Sequence, residues 1–203
     1  MDTYLTIAAR SEGLYKEKMS KFLSFAEPCS TVEQAKEIVT RYKKEYFDAR
    51  HVCWAYMLGN ERTEFRSNDD GEPSGTAGKP ILGQINSFEL TNLCVIVVRY
   101  FGGIKLGTSG LIEAYRTAAQ EALNAAQIEE RIIEETLVVH YQYPMMGEAM
   151  RIAKEEGANV LAQDFGEDCR LTLSLRRDAM PRMRARYEKT YGICIVHDTA
   201  NSN

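Results

Sequence analysis

The chain has 203 residues, of which 29 are acidic and 25 basic, so its formal net charge is −4. With 44% hydrophobic and 27% charged residues it resembles ordinary globular proteins, which excludes extensive disorder. The longest uninterrupted apolar run, Leu93–Val98, is far shorter than the roughly 20 residues that cross a bilayer. Because the first residues also lack the apolar core of a signal peptide, we expect a cytoplasmic protein with no membrane partner.

The amino-terminal residues predict short strands followed by a helix. Residues 4–7 and 13–26 mix alternating apolar side chains with lysines, which is typical of two or three short strands. A helix is expected to begin at Thr31, because apolar residues recur at helical spacing after it. Ser30 and Glu33 lie at the spacing of a capping box, so they are the predicted partners at its start.

Two strands and two helices are predicted in the next part of the chain. His51–Leu58 and Leu93–Tyr100 are rich in β-branched and aromatic residues, and the second is apolar enough for a mid-sheet position. Residues 59–78 show no apolar period and predict an irregular connection of functional importance. Pro80 is expected at the first position of one helix, and a second helix is expected over residues 111–126.

The pattern of predicted strands and helices changes near residue 132, where we place a boundary between domains 1–132 and 133–203. The second part predicts the order βαββαβ of a ferredoxin-like domain. Its predicted strands are 136–141, 159–163, 169–175 and 193–196, its predicted helices are 145–156 and 180–190, and residues 199–203 are expected to be frayed. His140 and His197 carry no sign of a ligand partner. The predicted class is therefore α+β with two domains.

Two glycine-rich segments, Asp69–Lys79 and Arg99–Gly110, precede predicted helices. Glycine leaves backbone N–H groups uncovered, and a helix start adds unpaired donors with a positive dipole end, so each segment is suited to hold an anion. Lysine and arginine side chains would neutralise phosphate, and the aromatic rings would stack on bases. The expected anion or nucleic-acid contacts are Ser74, Gly75, Thr76, Gly78 and Lys79 in the first segment, and Arg99, Tyr100, Phe101, Gly102, Gly103, Lys105 and Thr108 in the second.

Several alternatives remain open for these residues. The glycines are equally suited to tight turns alone, and neither segment matches a nucleotide-binding fingerprint. Asp69, Asp70 and Glu72 would suit an enzyme that holds Mg²⁺ and acts on a phosphorylated small molecule, with Ser74 or Thr76 touching the phosphate. A protein-interaction module is a third possibility.

Cysteine and histidine give little sign of catalysis or of a metal. His51 and Cys53 share one face of a strand and would form a thiolate–imidazole pair, although an inert core cysteine is the commoner outcome. The five cysteines occur singly, which fits a reducing compartment, and the three histidines lack zinc-ligand spacing. We expect no catalytic residue, no metal and no cofactor.

The same motifs identify a family resemblance. Asp69–Leu82 and Asn92–Gly107, together with the upstream segment Asp48–Tyr56, resemble the YigZ/IMPACT family, and nearly the whole chain follows its pattern. The chain departs from that pattern at Ser109 and Glu113, where the family favours glycine and arginine. The departure removes a cation beside the second glycine-rich segment.

The resemblance implies a fold and a function. It implies an amino-terminal α/β domain similar to domain IV of elongation factor G and a ferredoxin-like second domain. Members of the family are thought to bind RNA or the translation apparatus. We therefore expect a non-enzymatic protein that binds RNA or the ribosome and regulates translation.

Overall fold

The computed structural model describes residues 2–166 and 168–196, which form eleven strands and five α-helices. The strands are β1 (Thr3–Ile7), β2 (Ser11–Glu17), β3 (Ser20–Pro28), β4 (His51–Leu58), β5 (Glu64–Asn68), β6 (Leu93–Tyr100), β7 (Ile128–Ile132), β8 (Glu134–Tyr141), β9 (Asn159–Asp164), β10 (Cys169–Arg176) and β11 (Ile193–Val196). The helices are α1 (Val32–Glu45), α2 (Gly78–Ser87), α3 (Gly107–Asn124), α4 (Met146–Glu156) and α5 (Met180–Glu188). His197 and the expected frayed residues 199–203 lie outside the described residues.

The described residues divide into two units, one formed by Thr3–Arg131 and the other by Asp2 and the described residues from Ile132 onward. The first unit contains an antiparallel five-stranded sheet in the order β2-β3-β6-β4-β5. Helix α1 packs on one face of this sheet, and α2 and α3 pack on the other. Strands β1 and β7 form a separate two-stranded sheet.

The central position of β6 explains its continuous apolar sequence. Cys94, Ile96 and Val98 belong to the core under α1, whereas Leu93, Val95 and Val97 belong to the core under α2 and α3. Because successive side chains of a strand point to opposite faces, a strand covered on both faces must be apolar at every position. The predicted mid-sheet strand agrees with this arrangement.

The capping prediction for α1 was wrong by one residue. Thr31 is the N-cap, and its hydroxyl accepts a hydrogen bond from the N–H of Gln34 at 3.2 Å. The Gln34 side chain accepts in return from the N–H of Ser30 at 2.8 Å. The predicted pair, Ser30 and Glu33, therefore has the right spacing but the wrong register: Thr31 caps the helix, and the Gln34 side chain accepts from Ser30 rather than from the N-cap residue itself.

Three other boundaries differ from expectation in the first unit. Strand β5 lies inside the predicted irregular connection, because an exposed edge strand has no apolar alternation to reveal it. Helix α2 begins at Gly78, so Pro80 is its third residue rather than its first. Helix α3 begins at Gly107, four residues before the predicted start, because its first turn is solvent-exposed and carries no apolar stripe.

The second unit has the predicted ferredoxin-like organisation. Its antiparallel sheet has the order β11-β8-β10-β9, and α4 and α5 share one core with it. Gly157 ends α4 in the left-handed conformation with φ of 75°. The Glu156 carboxylate is buried and accepts from Arg182 and from Arg186. None of the described helices is long and apolar enough to span a membrane.

Candidate anion-binding site

Three side chains form a row across the first unit's sheet beneath α3. Phe22 of β3 and His51 of β4 are both register partners of Arg99 on β6. Residues directly opposite one another in antiparallel strands share a face. This row lies on the face that α2 and α3 cover, at the end where α3 begins.

A buried carboxylate holds Arg99 in this row. The guanidinium Nη1 of Arg99 donates to Oε1 of Glu72 at 2.6 Å, and the hydroxyl of Tyr115 donates to the same oxygen at 2.8 Å. Glu72 and Arg99 are only 8% and 5% exposed. Burial, together with Cys53 and Glu72, raises the pKa of Tyr115 well above its ordinary value, so its hydroxyl stays protonated and donates.

Aromatic rings also contact the Arg99 guanidinium. The rings of Phe22 and Phe101 each have their centroid 5.5 Å from its central carbon. Phe101 remains 46% exposed, so it is accessible to a ligand. Arg99 was predicted to neutralise a phosphate, but its charge is already compensated by Glu72 and its side chain forms part of the floor of the site.

His51 is fixed in orientation by the backbone. Its Nδ1 lies 2.8 Å from the carbonyl oxygen of Asp70, and its Nε2 lies 3.7 Å from Oε2 of Glu72. The thiol of Cys53 donates to the carbonyl oxygen of Asp69 at 3.0 Å, and burial raises its pKa. The thiol is therefore protonated and does not form the thiolate–imidazole pair considered from the sequence.

These residues line a cavity of about 450 Å³, which we call the α3 pocket. Its walls are Arg50, His51, Glu72, Pro73, Arg99, Phe101, Lys105, Leu106, Gly107, Thr108 and Leu111. Within residues 2–166 and 168–196, neither Arg50 nor Lys105 has a carboxylate oxygen within 4.0 Å, and both are exposed. The pocket thus has two uncompensated cations near its rim.

The start of α3 adds backbone donors to the same pocket. Leu106 occupies the N-cap position, where its side chain cannot accept a hydrogen bond from the first turn. The first four N–H groups of a helix have no partner within the helix, and the dipole places partial positive charge there. Thr108 contributes a hydroxyl in this turn. Donors and cations therefore converge on one exposed concave surface.

The first glycine-rich segment does not present its amides to this pocket. The Asp69 carboxylate accepts hydrogen bonds from the N–H groups of Gly75 at 2.8 Å, Ala77 at 3.0 Å and Gly78 at 2.8 Å. Partial burial opposes ionisation, but these three amides, aided by Lys79, lower the pKa of Asp69. The chain's own carboxylate thus occupies the anion site that Gly75 and Gly78 were expected to offer.

The other expected contacts divide between the pocket and its surroundings. The pocket brings together Arg99, Phe101, Lys105 and Thr108. Ser74, Lys79 and Gly103 are exposed but do not line it, and Thr76 is buried with its hydroxyl donating to the carbonyl oxygen of Pro73. Tyr100 donates to Asp48, and the N–H of Gly102 donates to Ser20.

The carboxylates of the first segment are held apart by different partners. Asp69 accepts from the three amides, Asp70 accepts from Lys43 and from the N–H of Val52, and Glu72 accepts from Arg99 and Tyr115. The described residues contain no group of three histidine, cysteine, aspartate or glutamate side chains placed to hold a metal ion. The carboxylate cluster on which the Mg²⁺ hypothesis depends is therefore not formed.

Sequence reasoning missed Arg50 and misread Glu72. Arg50 lies in a turn just before β4 and carries no motif. Glu72 stands beside two aspartates in a Gly/Pro segment, which suggested a solvated turn or a metal ligand. One signal was available in the sequence. Arg99 is a charged residue near the end of an apolar strand, so it needs a buried partner of opposite charge, and an acid of the Asp69–Lys79 segment could have been assigned to it.

Comparisons with known proteins identify the family. A family model described as the Impact N-terminal domain matches residues 18–123. The chain is 37% identical over 147 residues to the IMPACT family member YvyE of Bacillus subtilis, which covers 72% of this chain and 68% of that protein. The chain belongs to the IMPACT family. It is also 30% identical to an IMPACT family member of Haemophilus influenzae over 182 residues, 88% of each chain.

The fold of this IMPACT family member is shared with a solved structure. A crystal structure described as a hypothetical protein aligns with a TM-score of 0.75 and 27% identity, covering 98% of this chain and 99% of that one. The IMPACT family member YigZ of Escherichia coli is 37% identical over 145 residues, which is 70% of this chain and 71% of YigZ. The family and fold class expected from the sequence are confirmed.

Proposed function

We propose that this protein binds RNA, on its own or within the ribosome, through a backbone phosphate seated in the α3 pocket. The observation that carries the proposal is the convergence of Arg50, Lys105 and the first turn of α3 on one cavity. The phosphate would lie against Lys105, Thr108 and the helix N–H groups, where anions are commonly bound. Phe101, exposed beside the cavity, would stack on a base.

The local charge supports RNA rather than a neutral ligand. The whole chain is acidic, with a formal net charge of −4, so attraction to a polyanion must come from a local patch. Glu72, the carboxylate in the pocket wall, is neutralised by Arg99, so it does not cancel the cations at the rim. The cavity therefore remains positive although the protein is not.

Family membership supports the proposal of a role in translation, and the free cysteines support the proposal of a cytoplasmic location. The resemblance to the family implies a regulatory role in translation, and we extend that role to this chain. All five cysteines are free thiols, as expected in a reducing compartment. No covalent step is required for this function, and we propose a binding protein rather than an enzyme.

The proposal is tested by measuring RNA affinity as a function of salt. Fluorescence anisotropy of a labelled RNA should give a dissociation constant that weakens steeply as salt rises from 50 to 200 mM. Each phosphate contact contributes about 0.7 to the slope for a single strand. Lys105→Ala and Arg50→Ala should each weaken binding and flatten this slope.

Lys154→Ala is the matched control, because Lys154 is an exposed lysine of the second unit that does not line the pocket. It should leave both affinity and slope unchanged. If Lys105→Ala and Arg50→Ala also bind RNA as the wild type does, the α3 pocket is not the phosphate site.

A further inference from the structure

We propose that the RNA bound by this protein is single-stranded, because a base stacks on Trp54 in a second groove of the same unit. The inference rests on the proposed function, since it names the form of RNA that the α3 pocket helps to hold. The groove lies between α1 and strands β4 and β5, and has a volume of about 380 Å³. Its polar and aromatic walls are Lys36, Thr40, Lys43, Trp54, Tyr56 and Asn68.

Two stacked aromatic rings form the floor of the groove. Trp54 and Tyr56 are two residues apart on β4 and point to the same face of the sheet, toward α1. Their rings are nearly parallel, with an interplanar angle of 5° and centroids 5.8 Å apart. Tyr56 is only 5% exposed, whereas Trp54 is partly exposed and available to a planar ligand. An accessible indole is a suitable platform for any base, since every base has a π-face.

The charge around this platform suits a phosphate backbone. Lys36, Lys43 and Lys44 lie on α1 along the groove and an adjoining hollow. Among the described residues, Lys36 and Lys44 have no carboxylate oxygen within 4.0 Å, while Lys43 donates to Asp70 at 2.5 Å. Glu37 also lines the adjoining hollow and reduces the positive charge there. Lys36 and Lys43 line the groove that contains the indole, so a base on Trp54 would have its own phosphates beside the uncompensated ammonium group of Lys36, with that of Lys44 in the adjoining hollow.

A single residue connects this groove with the α3 pocket. Asp70 accepts from Lys43 of the groove through its carboxylate and lies 2.8 Å from His51 of the pocket through its carbonyl oxygen. His51 and Trp54 are three residues apart on β4, which is about 10 Å along the strand. Because His51 faces α3 and Trp54 faces α1, a single strand that occupies both sites must pass from one face of the sheet to the other, around the end of β4 where Asp70 lies.

This arrangement selects against duplex RNA. In a duplex, each base is covered on both faces by its neighbours, so a protein ring cannot stack on it without unstacking it. The bases of a single strand can splay out and pair with aromatic side chains. A protein that bound only phosphates would not make this distinction.

The experiment uses Trp54 as its own reporter, because it is the only tryptophan of the chain. The full chain is titrated at low salt with a 12-nucleotide oligouridylate and with a 12-base-pair RNA duplex. We expect the single strand to quench tryptophan fluorescence saturably and to bind at least tenfold more tightly than the duplex.

Variants separate stacking from general binding. By anisotropy, Trp54→Ala should weaken single-strand binding by about 5- to 150-fold, which corresponds to the loss of one base–aromatic stack. Trp54→Phe, which keeps a ring and the packing on Tyr56, should retain most of the affinity. Phe47→Ala, at a ring that is 83% exposed and outside the groove, should change nothing.

The outcomes distinguish this inference from the function on which it rests. Equal affinity for duplex and single strand, without quenching of Trp54, would overturn the single-strand inference and leave phosphate binding in the α3 pocket intact. Failure to bind either RNA at low salt would overturn the proposed function itself.

Discussion

Removal of the buried Glu72 carboxylate should cost more stability than removal of any surface acid. In Glu72→Ala, the Arg99 guanidinium loses its counterion in a position where its side chain is only 6% exposed, and Tyr115 loses its acceptor. Breaking a buried ion pair by deleting one partner costs about 3–5 kcal/mol, because the remaining charge is left uncompensated. The lost Tyr115 hydrogen bond falls within the same figure, since contacts that share one atom are not additive.

The matched control is Glu113→Ala. Glu113 pairs with Arg116 at 2.7 Å on the surface of α3, and the two side chains are 60% and 48% exposed. Exposed pairs of this kind contribute about 0–1 kcal/mol, because water and salt screen them. The two variants delete the same carboxylate from the same unit, so the difference between them isolates the effect of burial.

Urea unfolding followed by Trp54 fluorescence measures both variants. Trp54 lies on β4, in the unit that contains Glu72 and Glu113, so its signal reports on the relevant unit. A lower midpoint at unchanged slope gives the loss of stability directly. A loss below about 1 kcal/mol for Glu72→Ala would contradict the buried-pair account. Recovery of stability when Arg99→Met is added would support it, because a neutral apolar pair avoids the stranded charge.

Three further predictions concern single backbone and capping features. Gly102→Ala should destabilise the protein by about 1–3 kcal/mol, because its added methyl would lie 2.0 Å from the carbonyl carbon of Met19. The control Gly83→Ala, whose added methyl lies in open space on α2, should stabilise the protein slightly. Thermal melts compare the two variants. Asp69→Asn should lose less stability between pH 6 and pH 3 than the wild type does. The pKa of Asp69 is lowered in the folded state, so its carboxylate stabilises the fold above the ordinary pKa near 4, and this stabilisation is lost as the pH falls through the folded-state pKa. Urea titrations at each pH measure the difference. Thr31→Ala should cost about 1 kcal/mol through loss of the N-cap, and Thr31→Ser should restore it.

The regular elements of the core could be predicted from the sequence because their periodicity reflects burial. Strand β4 has the predicted bounds His51–Leu58, and β6 has the predicted bounds Leu93–Tyr100. Both carry apolar side chains toward helices on the two faces of the sheet. Strand β5 and the first turn of α3 could not be predicted in this way, because they are not buried. Their residues are exposed, so no apolar pattern records their structure.

The candidate site was predictable only in part. Hydrogen bonds and ion pairs between residues distant in the sequence decide which of its groups remain free to bind a ligand. Lys105, Thr108 and Phe101 could be found locally, since glycines before a helix are a local signal. That Asp69 would cap the amides of Gly75 and Gly78 depends on how the segment folds back on itself. The sequence of the segment is the same whether its backbone N–H groups bind the chain's own carboxylate or an external anion, so the sequence alone does not distinguish the two.

The most direct test of the central claim is a crystal structure of this protein with a short single-stranded RNA. We predict a phosphate group in the α3 pocket, within hydrogen-bonding distance of the Lys105 ammonium and of the N–H groups in the first turn of α3. A bound RNA whose phosphates all lie outside this pocket would contradict the account.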